Sequence, residues 1–129
     1  MPHSAKKSLM ILVAGPYRSG TNDDPALIKA NLQAMNDAAL KLYRVGHMPL
    51  LGEWLALPLL ETAGSERIGD AIFDEIFHPL AHRLLHHCDA CLRIGGASKG
   101  ADEMVKAAET LGLPVFNDLD SVPGVDSNE

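Results

Sequence analysis

SLMILVAGPYRSG, residues Ser8 to Gly20, decides the fold. Its first seven residues, Ser8 to Ala14, are an apolar run opened by a serine and include Ile and Val, the pattern of a strand covered on both faces. A glycine, a proline and a short polar run stop it at Gly15. A strand that needs covering on both sides belongs in a parallel sheet between helices, and the chain beyond supplies them.

Asp24 is a good N-cap and Pro25 suits a first helical position. From Pro25 to Val45 the residues Leu27, Ile28, Leu32, Met35, Ala38, Ala39, Leu42 and Tyr43 recur at helical spacing, and Gly46 closes the run. HMPLL, 47–51, reads as a short strand. GEWLALPLLETAG, 52–64, reads as a loop plus a short helix interrupted at Pro58. GSERIGDAIFDEIFHPLAHRLLHHC, 64–88, is strongly helical. Pro79 removes a backbone donor there, which predicts a kink or two helices meeting near His78. DACLRI, 89–94, is the next strand. Residues 100–111 form a helix capped by Gly112, and LPVFN, 113–117, is the last strand.

The order β-α-β-α-α-β-α-β predicts a three-layer flavodoxin/Rossmann-like α/β domain. Its mostly parallel sheet has four to five strands joined by right-handed crossovers. The expectation is a single domain over residues 1–129, with 1–7 and 121–129 loose.

Composition narrows the function classes. The chain has 129 residues, 47% hydrophobic and 22% charged, with 11 basic against 17 acidic side chains and a net charge of −6. There is no basic run to neutralise a nucleic-acid backbone. No apolar stretch reaches the ~18 residues of a membrane span. The first apolar segment runs into GPYRSG rather than a small-residue cleavage site, so a cytoplasmic protein is expected. Cys88 and Cys91 are spaced C-x-x-C but lie at the start of a strand, where residues three apart face opposite sides. They read as small semi-buried hydrophobes.

Ligands of parallel sheets bind at the carboxyl ends of the strands. That directs attention to three loops. In the first, Gly15, Pro16, Tyr17, Arg18 and Ser19 offer close backbone approach, a stacking face, a guanidinium fork and a hydroxyl suited to a phosphorylated small molecule. The alternative is a plain strand-end turn. It is neither a Walker loop nor a G-x-G-x-x-G fingerprint. In the third, GGASKGADEM, residues 95–104, the glycines Gly95, Gly96 and Gly100 leave amides free at a helix start. Ser98 offers a hydroxyl and Ala101 a small side chain. Asp102 and Glu103 fall in the first helical turn, as carboxylates aimed at a ligand or as acids that favour the helix dipole. In the second, Glu53 follows a short strand at the expected rim, as a site acid or a solvent-facing one. Trp54 beside it is a pocket wall or core. His78, His82 and His86 are each four apart, but no general base or third ligand type accompanies them, so no metal site and no cofactor is assigned. His82 or His78 remains available to the pocket.

VAGPYRSG after the first strand, CDACLRI late in the chain, and S-x-G-A before a helix ending LGLPV together resemble the nucleoside 2-deoxyribosyltransferase-like superfamily, which includes 2′-deoxynucleoside 5′-phosphate N-hydrolases. The resemblance spans about Met10 to Val115. It implies cleavage of a deoxyribose–base bond in a homo-oligomer, with the first loop on the nucleotide and Ser98 on its phosphate. A glutamate after the third-strand loop would attack the anomeric carbon, and an aspartate on the preceding helix would assist. The glutamate's position is Met104 here and the aspartate's is Ala81, so Glu103, Asp102, Glu53 and His82 are the available candidates. GGASKGAD also resembles the G-G-x-x-G-A-D loop of Rossmann-like nucleotide-sensing domains related to phosphoribohydrolases. There Asp102 would fix the loop or contact ribose, and a non-catalytic nucleotide or nucleotide-sugar module is the alternative.

Overall fold

A computed structural model describes residues 7–125. The strands are β1 (Met10–Ala14), β2 (Met48–Leu50), β3 (Ala90–Arg93) and β4 (Val115–Phe116). The helices are α1 (Pro25–Arg44), α2 (Gly52–Ala63), α3 (Ala71–Leu85) and α4 (Lys99–Thr110), and a 3-10 turn covers Leu119–Ser121. The four strands form one all-parallel sheet in the order β2-β1-β3-β4. The architecture is α/β, with helices on both faces, as in flavodoxin-like folds.

Alternation along β1 organises the core. Ile11 and Val13 pack with Ala90, Leu92 and Leu51 against Met35, Ala38, Ala39 and Leu42 of α1. Leu12 and Ala14 face the other way, with Cys91, against Leu85 of α3 and Ala101, Met104 and Ala108 of α4. Helix α2 packs on α3 through Ala56, Leu60, Phe73 and Phe77.

One expectation about helices is corrected and another is narrowed. GEWLALPLLETA is one helix from Gly52, not a loop and an interrupted piece. Residues 71–85 form one helix across Pro79 rather than two meeting near His78, and it begins only after a loop over 64–70. A proline deletes one hydrogen bond, whereas the buried faces on either side of each proline hold the helix together. Asp70 starts α3. Its carboxylate accepts from the Phe73 amide at 2.8 Å and from Glu66 and Arg67 amides and the Ser65 hydroxyl. Those donors, Phe73 first, hold it well below the usual carboxylate range.

The cysteines also differ from expectation. Cys88 precedes β3, and both thiols lie on the same side of the sheet, free and buried. Burial pushes Cys88 up to about 11 and Cys91 up to about 12, so neither is a thiolate at neutral pH.

Residues 121–125, expected to be loose, are tied down; 1–6 and 126–129 lie outside the described residues. The Val125 amide donates to the Val45 carbonyl at 2.8 Å. His47 is 2% exposed and accepts from the Leu9 amide at Nδ1 (3.0 Å), while Nε2 donates to the Pro123 carbonyl. One imidazole thus joins the start of the central strand to the C-terminal segment. His47→Ala leaves both backbone groups without a partner and opens a void, and is expected to cost about 2–4 kcal/mol. Urea denaturation measures the loss, and hydrogen exchange should show the Val125 amide deprotected beyond the global change.

Candidate functional site

The strand order reverses direction between β1 and β3, so the loops after these strands diverge and leave a crevice. A cavity of about 420 Å³ occupies it, within the range of small-ligand sites. The first loop contributes Gly15, Tyr17, Arg18 and Ser19. The start of α2 contributes Gly52 and Glu53. Helix α3 contributes Phe73, Asp74, Phe77, His78 and Ala81, and the start of α4 contributes Ser98, Lys99, Gly100, Ala101, Glu103 and Met104.

Close contacts at glycines set the walls. A Cβ on Gly52 would lie 3.1 Å from Cβ of Ala81, and one on Gly100 would lie 2.6 Å from Cε1 of His78. Helix α3 therefore packs tightly on the start of α2 at Gly52, and its His78 ring lies over Gly100 at the start of α4. The aromatic wall is Tyr17, 5.1 Å from Phe77, which stacks on Phe73 at 4.5 Å. Asn31 of α1 donates to the Tyr17 carbonyl at 3.0 Å and holds the first loop.

At the α4 start, Ser98 is the N-cap. It is buried, and its Oγ accepts from the Ala101 amide at 3.1 Å. Its hydroxyl proton remains for a ligand, beside the amides of the first turn.

Glu53 is the distinctive group. It lies in the first turn of α2 and is 8% exposed. Burial pushes its carboxyl up to about 7, against a smaller lowering by its own backbone amide. Tyr17 is also raised, first by burial and then by the negative charge of Glu53.

Several sequence candidates fall outside the cavity lining. Asp102 is 70% exposed and pairs with Arg93 Nε at 3.1 Å. Arg93 also bonds the Ile94 and Gly96 carbonyls, so Asp102 and Arg93 brace the third loop. Pro16 and Gly95 are braces too. A Cβ on Gly95, at φ +79°, would lie 2.6 Å from Cδ of Pro16, so the two loops meet there. Gly96 is exposed and contributes its carbonyl to Arg93. His82 is exposed and does not line the cavity; His78, four residues earlier, does. Among the described residues, no group of three or more His, Cys, Asp or Glu could hold a metal ion.

Phe73, Asp74 and Phe77 were not singled out in the sequence. Their signal was the i, i+1, i+4 spacing on a helix that leads into the third strand, with an Asp70 N-cap to set its phase.

Fold and cleft together define a small flavodoxin-like α/β domain with an aromatic-walled, partly acidic cavity at its switch point. No protein-family model and no curated protein matches the chain. The cavity's own chemistry therefore carries the functional reading.

The raised carboxyl of Glu53 has a consequence for stability. A carboxyl that holds its proton more tightly when folded stabilises the fold fully below the unfolded value of 4.5, and that contribution is lost as pH rises through about 7. The displacement amounts to about 3 kcal/mol. Glu53→Gln is expected to gain stability relative to wild type between pH 5 and pH 8, and paired denaturant melts across that range measure the gain.

Proposed function

We propose that the cavity binds a nucleoside or nucleotide and that the protein acts on the deoxyribose–base bond, as an N-glycosidase or deoxyribosyltransferase-like enzyme. This follows the resemblance to the nucleoside 2-deoxyribosyltransferase-like superfamily. The observation that carries it is Glu53, a buried carboxyl raised to about 7 within an aromatic-walled cavity. Such a group keeps a proton at neutral pH and can deliver it to a leaving base.

The reaction balances simply. The C1′–N bond breaks, its electron pair passes to the base nitrogen, and Glu53 supplies the proton that neutralises it. Glu103, exposed on α4 one residue past its first-turn acid Asp102, offers a carboxylate to the oxocarbenium-like centre. Water, or a second base in transfer, then bonds C1′ and returns a proton to Glu53. Tyr17 and Phe77 offer a surface for the base, and Ser98 with the α4 amides offers donors to the sugar or its phosphate.

A second reading is a non-catalytic nucleotide or nucleotide-sugar module. It is favoured by Met104 and Ala81, the positions at which the resembled family carries its carboxylates. Both line the cavity as apolar side chains. The proposal further takes the protein to be a cytoplasmic homo-oligomer. The exposed apolar side chains Leu55 and Leu59 on α2 support the oligomer.

The test is incubation with deoxynucleosides and their 5′-monophosphates while free base is measured. Glu53→Gln should slow release by about 100-fold or more, the scale of a lost general acid. For the wild type, kcat/KM should fall as pH rises through about 7, because the protonated acid disappears. If wild type and variant release no base while a thermal shift reports nucleotide binding, the module reading stands instead.

A further inference from the structure

Arg18 does not offer its guanidinium fork to the cavity unopposed. Nε donates to Asp23 Oδ1 at 2.7 Å and Nη2 to Asp23 Oδ2 at 3.1 Å, a two-pronged grip on one carboxylate. The same guanidinium lies against Gly69, where an added Cβ would sit 2.8 Å from Nη2, and 5.9 Å from the centre of the Phe73 ring.

A dedicated turn puts Asp23 there. Asn22 and Asp23 are both left-handed, at φ 51° and 60°. The Thr21 hydroxyl donates to the Arg18 carbonyl at 2.5 Å and accepts from the Asp23 amide at 3.1 Å. Yet the pair is nearly half exposed, 45% and 48%, so its return in stability is small. Asn and Asp are the non-glycine residues that best tolerate that region, so the turn holds Asp23 against Arg18 at little backbone cost. The arrangement is better explained by what it does to Arg18.

The other cavity charges point the same way. Besides Glu53, which holds its proton near neutral pH, the carboxylates of Asp74 and Glu103 line the cavity together with Arg18 and Lys99. With Arg18 matched by Asp23, carboxyl groups outnumber the remaining cation. A phosphate dianion would have to pull Arg18 from Asp23 or lie among like charges. An uncharged nucleoside needs only the aromatic wall and the hydroxyl and amide donors at the α4 start.

We propose that Asp23 is a positioning residue that sets specificity: by occupying the Arg18 fork it makes the cavity select deoxynucleosides over their 5′-monophosphates. The proposal rests on the reading of this cavity as a nucleoside or nucleotide site and narrows it to the unphosphorylated class.

The test is calorimetric titration of the full chain with each 2′-deoxynucleoside, its 5′-monophosphate and inorganic phosphate. Wild type is expected to bind at least one nucleoside about tenfold tighter than its monophosphate, the scale of one uncompensated charge contact near a surface. Asp23→Asn, which tolerates the left-handed turn, should tighten the monophosphate about tenfold relative to the nucleoside. Asp23→Gly should do the same. In an Arg18→Gln background the Asp23→Asn gain should vanish, which a general loosening of the loop would not produce.

Equal wild-type affinity for both ligands overturns the proposal. So does a ratio unmoved by either Asp23 variant, or a gain that persists without Arg18. If these ratios hold but no base is released, bond cleavage fails and selection by Asp23 stands. If base is released and the ratios are flat, selection fails alone. Binding of no nucleoside overturns both.

Discussion

β1 cannot be solvated on either face. Ile11 is fully buried on one side and Leu12 is 2% exposed on the other. Covering both sides requires helices above and below, and helices between neighbouring strands require parallel crossovers. Right-handed crossovers to β2 in one direction and to β3 in the other put α1 on one face and α3 with α4 on the opposite face. Every strand then points its carboxyl end toward the same edge. The glycine-marked loops and the start of α2 converge there because the core leaves them nowhere else to go.

The same constraint produces the unusual acid. Leu51, fully buried between β2 and α2, draws the chain inward immediately before α2 begins. Gly52 lets Ala81 of α3 close over that point, so Glu53 enters its helix already desolvated. Two effects then compete. The α2 N-terminus favours the carboxylate by about 0.3–1 kcal/mol, whereas desolvation opposes it by about 3 kcal/mol on the scale of the raised value. Desolvation wins, and a residue whose position would ordinarily make it a helix-dipole acid holds its proton up to about pH 7.

The element order was legible because it depends on local signals: the apolar run of β1, the Asp24–Pro25 helix start and the glycines after α1 and α4. Helix continuity through Pro58 and Pro79 was not, since a proline's cost is local while the burial that outweighs it, at Ala56, Leu60, Phe73 and Phe77, is tertiary. The loops of the site were legible for the same reason as the strands. Their division of labour was not. Asp102 and Glu53 stand in first helical turns and Glu103 directly follows Asp102, and only packing separates a loop brace from a rim carboxylate and a buried acid. His78 and His82 differ by one turn of the same helix, and which of them reaches the cavity depends on how far α3 extends past the crevice. The Arg18–Asp23 pairing was hidden as well, because which way the Asn22–Asp23 turn folds its carboxylate depends on the Thr21 hydroxyl bonds and not on residue type alone.

Glu53 links the fold's central constraint to chemistry, so its titration is the most direct probe. Carbon-13 NMR of the Glu53 side-chain carboxyl should show a midpoint near pH 7 that moves when a deoxynucleoside is added. A midpoint in the ordinary carboxylate range, or one indifferent to every nucleoside, would contradict the account.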